Sequence, residues 1–106
     1  MAIEAQHILK DMKSLLNQNY PNEVVNIILF GSQINGAKED SDFDILVVLK
    51  NTVNWKTEKE INDLLYQVDL KYGIVTDTHI LSEKDIQSLR GKQPVFMNAL
   101  TNGIYA

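Results

Sequence analysis

The chain has 106 residues, of which 44% are apolar and 23% charged, with a net charge of −4 and no cysteine. One small globular domain spanning residues 1–106 is expected, and disulfides and thiolate metal centres are excluded. The acidic balance argues against sequence-independent binding of DNA or RNA, which needs Lys and Arg to neutralise phosphates.

Ala2 to Asn19 reads as an amphipathic helix. Ile8, Leu9, Met12, Leu15 and Leu16 recur at helical spacing, while Glu4, Lys10, Asp11, Lys13 and Asn17 can face water. Tyr20-Pro21-Asn22 stops it, because a residue before proline avoids the helical region. Val24 to Phe30 then has the length and β-branched content of a buried strand, and Phe43 to Leu49 repeats the signal. Between them, Gln33 to Ala37 is expected to make a short helical turn and Lys38-Glu39-Asp40-Ser41 a polar loop. After a connector over Asn51 to Lys56, Thr57 and Glu60 have capping-box spacing for a helix reaching about Tyr72. Its inward residues are Ile61, Leu64, Leu65 and Val68, and Gly73 is placed to end it. Ile74 to Leu81 reads as a third strand, Ser82 with Asp85 as a capped turn, and Pro94 to Leu100 as a short helix that Asn102-Gly103 closes.

Strands alternating with helices predict an α/β (α+β) domain, a small mixed sheet of three or more strands flanked by helices. A sheet that narrow leaves an edge on which a partner could dock. No run approaches the roughly 20 apolar residues of a membrane helix. Met1-Ala2-Ile3-Glu4-Ala5 lacks a basic region followed by an apolar core, so no secretory leader is expected and the cytoplasm is the default location.

The chemistry concentrates where the first two strands meet their loop. Gly31-Ser32 follows the first strand, and Asp42-Phe43-Asp44 opens the second. Residues two apart on a strand share a face, so Asp42 and Asp44 project together while Phe43 turns away. Two carboxylates side by side repel unless a cation joins them, and magnesium carrying nucleotide phosphates is the simplest partner. Gly31 lets backbone approach a phosphate, Ser32 can add a hydroxyl donor, and Gly36 allows a sharp turn before the acids. On the third strand, Val75, Asp77, His79 and Leu81 share one face, and Ile74, Thr76, Thr78 and Ile80 the other. If that strand lies beside either of the first two, Asp77 converges on Asp42 and Asp44, a set suited to one or two magnesium ions in phosphoryl or nucleotidyl transfer.

Competing readings are narrower. Asp40-Ser41-Asp42-Phe43-Asp44 opens like a calcium loop, but Ile45 stands where its glycine belongs and Asn51 where its bidentate Glu belongs. No Gly-Lys-Ser/Thr follows the glycines, which excludes a P-loop, and Ser32 lacks the partners of a covalent nucleophile. Asp77 could instead cap a turn or pair with Lys71 or Lys84. His79 fits either a hydrogen-bonded structural role or a substrate contact, and Trp55 either a packing anchor or a partner contact.

A strand, Gly-Ser, about ten residues, Asp-x-Asp opening a strand, and a third Asp on a later strand resemble the polymerase-beta-like nucleotidyltransferase superfamily. Its smallest members, the minimal nucleotidyltransferase (MNT) domains, are the nearest pattern, over essentially the whole chain. The resemblance implies the nucleotidyltransferase fold, with Gly31 and Ser32 binding the triphosphate. It implies that Asp42 and Asp44 ligate magnesium in two sites, and that Asp77 completes the second and helps deprotonate the acceptor hydroxyl. Several such domains are antitoxins that adenylylate a tyrosine of a HEPN-type RNase toxin. It therefore implies an enzyme that moves AMP from ATP, with Mg2+ as cofactor, to a hydroxyl of a small helical HEPN-type partner. A module of the same fold that neutralises its partner by docking alone is the alternative, and transfer to a small molecule such as an aminoglycoside a third. Which base is used and whether the chain self-associates stay open.

Overall fold

In a computed structural model, residues 2–30, 43–88 and 92–106 are described. Helix α1 (Ala2–Asn19) presents Ala5, Ile8, Leu9, Met12 and Leu16 to the interior, the stripe its spacing predicts. Strands β1 (Val24–Phe30) and β2 (Phe43–Leu49) have the expected bounds. Helix α2 (Trp55–Tyr72), strand β3 (Thr76–Ser82), helices α3 (Glu83–Gln87) and α4 (Pro94–Asn102) and strand β4 (Ile104–Tyr105) complete the described elements.

The sheet runs β3-β2-β1-β4. It is mixed: β1 is antiparallel to β2 and to β4, while β2 and β3 are parallel. Parallel neighbours need a crossover connection, and α2 supplies it. One face of the sheet (Ile27, Leu29, Ile45, Val47, Leu49) packs on α1 and α2. The other (Ile28, Phe30, Leu46, Val48, Leu81) packs on Phe96 and Ala99 of α4, with Ile86 of α3 beside them. This two-sided burial fixes the register of β2. A slip by one residue would drive Asp44 into the α1–α2 core and turn Ile45 and Val47 out of it.

Several boundaries differ from expectation. Asn54, not Thr57, caps α2: its side-chain oxygen accepts the Thr57 N–H at 2.9 Å, and the helix starts at Trp55. Glu60, freed from the expected capping box, accepts the Tyr20 hydroxyl at 2.6 Å and ties the residue after α1 to the first turns of α2. Gly73 does end α2, at φ 66°, in the left-handed conformation that favours glycine. Strand β3 begins at Thr76 rather than Ile74 because the α2–β3 turn is held by Asp69. Its carbonyl accepts the Ile74 N–H at 3.0 Å, and its carboxyl group binds Thr76. Ser82 and Asp85 form a complete capping box, as their spacing predicts. Helix α4 runs two residues past Leu100, and β4, which was not anticipated, follows it; two residues are too few to carry a periodicity. The expected turn at Gln33–Ala37 and loop at Lys38–Ser41 lie outside the described residues.

Candidate active site

One row of register partners defines the site. Phe30 at the end of β1 pairs with Asp44 on β2, and Asp44 pairs with Asp77 on β3. The row lies where β1 ends and β2 begins, next in sequence to Gly31, Ser32 and Asp42. Those three residues lie outside the described residues. The Phe43 N–H donates to the Val75 carbonyl at 2.8 Å and locks the start of β2 to the turn before β3.

Alternation then sorts the side chains. Phe43 packs with the α1–α2 core, and Asp44 takes the opposite face with Leu46 and Val48. Asp44 is half-buried, Asp77 exposed and His79 half-buried. Like charges directly opposite on neighbouring strands destabilise a sheet. A cation, or a positively charged group, at the junction removes that cost.

The imidazole of His79 stands at this junction. Its Nε2 lies 3.6 Å from Oδ2 of Asp77. One ligand atom each from Asp44, Asp77 and His79 lie within 4.8 Å of one another. Lys71, one of the two lysines that could have occupied Asp77, instead binds Asp11 of α1 at 2.8 Å. The Tyr72 hydroxyl donates to the same Asp11 oxygen, and with Lys71 holds that carboxyl group below the usual carboxylate range.

Asp77 owes its place to a residue on the far side of the sheet. Asp69 is 6% exposed, and its two carboxyl oxygens accept the Thr76 hydroxyl, each at 2.8 Å, while Oδ2 accepts the Thr76 N–H at 3.2 Å. Thr76 is the strand residue immediately before Asp77. Sequence reasoning passed over Asp69, although an Asp four residues past Leu65 on the inward stripe of α2 was a signal. Trp55 is 71% exposed at the first turn of α2, so it anchors no core. A groove of about 310 Å³ between α1 and α2 lies on the opposite face of the sheet from Asp44 and Asp77 and is lined by the Asp11–Lys71 pair.

A small mixed sheet flanked by helices, with acids at matched positions of β2 and β3, is the fold class expected of a nucleotidyltransferase. The chain belongs to the nucleotidyltransferase domain family, whose sequence model matches residues 8–95. Two Methanocaldococcus jannaschii proteins that carry the provisional name of protein adenylyltransferase are similar to it. One is 31% identical over 98 residues, covering 90% of this chain and 66% of its own. The other is 29% identical, covering 81% of this chain and 87% of its own. A Staphylococcus aureus spectinomycin 9-adenylyltransferase is 32% identical over 73 residues, 68% of this chain but 25% of that enzyme. The chain thus spans just under two thirds of the first relative and a quarter of the last.

Among solved structures, a mutant of the toxin-antitoxin complex MntA-HpeT matches with a TM-score of 0.58 at 25% identity, covering 92% of this chain and 69% of that one. A tri-AMPylated Shewanella oneidensis HEPN toxin in complex with MNT antitoxin shares the fold at a TM-score of 0.55 and 23% identity, covering 94% of this chain and 69% of that one.

The family works with a divalent metal and a nucleoside triphosphate. The donor set tests that fit. Ligand atoms around one ion with bonds of about 2.1 Å stand roughly 3 to 4.2 Å apart. The Asp77–His79 separation of 3.6 Å falls inside that range, and one ligand atom each of Asp44, Asp77 and His79 lie within 4.8 Å of one another. The residues fit a cation.

Proposed function

We propose that the chain, as a single domain over residues 1–106, is a magnesium-dependent nucleotidyltransferase that moves AMP from ATP to a hydroxyl of a partner protein. The acceptor is a tyrosine on a helical HEPN-type toxin, and the chain is its antitoxin. The cross-strand pair of Asp44 and Asp77 in a chain of this family carries the reading. Relatives named for protein adenylylation and a toxin-antitoxin complex among the similar structures support the acceptor class.

Each residue has a task. Asp42 and Asp44 hold the magnesium that accompanies the nucleotide, and Asp77 adds a third carboxylate. Gly31 opens the backbone to the triphosphate, and Ser32 donates its hydroxyl to a phosphate oxygen. Magnesium, when bound, neutralises phosphate charge as the in-line displacement proceeds. The acceptor oxygen bonds to the α-phosphorus, the bridge to the β-phosphate breaks, pyrophosphate leaves, and Asp77 receives the hydroxyl proton. The partner positions its own hydroxyl, so alignment supplies much of the rate.

The test is transfer of label from α-labelled ATP to the partner with magnesium present. Asp44→Asn is expected to lower the rate at least about a hundredfold while the fold persists, since it removes one of two apposed like charges. Full transfer by Asp44→Asn would refute the role of that acid. Tight partner binding without any magnesium-dependent ATP binding would leave the docking module instead.

A further inference from the structure

His79 has no task in the scheme just given, yet its ring is held from two sides. Its ring lies 5.8 Å from that of Phe30 at 45° and 5.6 Å from that of Phe96 at 73°. One aromatic comes from β1 and the other from α4, so the imidazole is gripped from two elements on the sheet face that carries Asp44. Its register partner on β2 is Leu46, one alternation beyond Asp44. Packing on this scale leaves the ring few orientations, and in the one adopted Nε2 lies 3.6 Å from Oδ2 of Asp77.

The distance decides what that placement can mean. At 3.6 Å, Nε2 and Oδ2 are too far apart for a good hydrogen bond. They are at the spacing of two donors sharing one ion, and one ligand atom from each of Asp44, Asp77 and His79 lies within 4.8 Å of the others. Carboxylates and water suit magnesium, whereas an imidazole nitrogen shifts a site toward first-row transition metals.

We propose that His79 is a nitrogen ligand in the cation position that Asp77 adds, so that this position selects a transition-metal dication over magnesium. The inference rests on the nucleotidyltransferase reading. The two positions then differ in kind: the nucleotide's magnesium sits on Asp42 and Asp44, and a nitrogen-accepting ion sits on Asp44, Asp77 and His79. The clasp of Phe30 and Phe96 pre-orients the ring for this role, since a ligand already held in place loses little freedom on binding.

The experiment is calorimetric titration of the full chain with Co2+ and, separately, with Mg2+, alongside His79→Gln and His79→Phe. The Phe variant keeps a ring between Phe30 and Phe96, so a defect shared by both variants is not a packing defect. Circular dichroism melts check that each is folded. In both variants, Co2+ affinity is expected to fall tenfold or more while Mg2+ affinity stays within about twofold. Co2+ absorption bands should also change intensity when the nitrogen is lost. Unchanged Co2+ affinity in both variants, or an equal loss of both ions, overturns the proposal. If it is overturned while Asp44→Asn still abolishes label transfer, the enzyme reading stands alone. If the wild-type chain binds neither ion and transfers no label, both fall.

Discussion

Replacing Thr76 by Val tests how β3, and with it Asp77, is held in place. The change keeps the shape and β-branching of the side chain and removes only the hydroxyl. That hydroxyl donates to both oxygens of Asp69 at 2.8 Å, leaving after substitution a single N–H at 3.2 Å to serve a carboxyl group that is 6% exposed. Depriving a buried acceptor of its main donor costs about 2 kcal/mol. In a domain of this size that lowers the melting temperature by roughly 10 °C. Thr76→Ser, which retains the donor, should recover most of the loss. Because the altered residue precedes Asp77, label transfer measured well below the melting temperature should also fall for Val and not for Ser. Circular dichroism melts of the three proteins decide the matter. A Val variant as stable as the wild type, with Ser the weaker of the two, would refute the reasoning, since it would make the methyl group and not the hydroxyl the stabilising part.

Two further perturbations probe other joints. A methyl group at Gly103 would collide with the Ile28 side chain and the Ala99 carbonyl and crowd the Leu29 carbonyl, so Gly103→Ala should cost about 1–3 kcal/mol by overpacking, read as a lower denaturant midpoint. Burial, with the Glu60 carboxylate as its acceptor, pushes the Tyr20 hydroxyl up to about 12. A group whose folded value is raised stabilises the fold fully below its unfolded value near 10 and loses that contribution as the pH rises through about 12. The alkaline loss of stability across that window should therefore be shallower in Tyr20→Phe, measured by urea denaturation at pH 9 and pH 11.5; identical slopes would dissociate Tyr20 from it.

Much of this architecture was legible because burial writes itself into sequence. β1 and β2 are continuous apolar runs, and such runs give their own bounds. The alternation of Phe43 and Asp44 was equally readable, since each face of β2 packs on a different helical layer. The start of β3 was not, because a side chain on another element, Asp69, decides where the turn ends. The cap of α2 was misread for a related reason: Asn54 and Thr57 are both good caps, and the choice depends on where the chain leaves β2. His79 was visible as a neighbour of Asp77 by period two. Its clasp by Phe30 and Phe96 joins residues far apart in the chain, and nothing local announces it.

The parallel pairing of β2 with β3 has a consequence for how the protein acquires its chemistry. Asp44 and Asp77 become neighbours only after the whole crossover through α2 has closed; pairing of β1 with β2 alone leaves Asp44 without Asp77. An ion held by both carboxylates would therefore be blind to half-formed chains and would bind the finished topology alone. Such exclusive binding adds about 2.7 kcal/mol at a hundredfold excess over Kd. Ion availability would then govern how much mature protein survives proteolysis, quite apart from turnover.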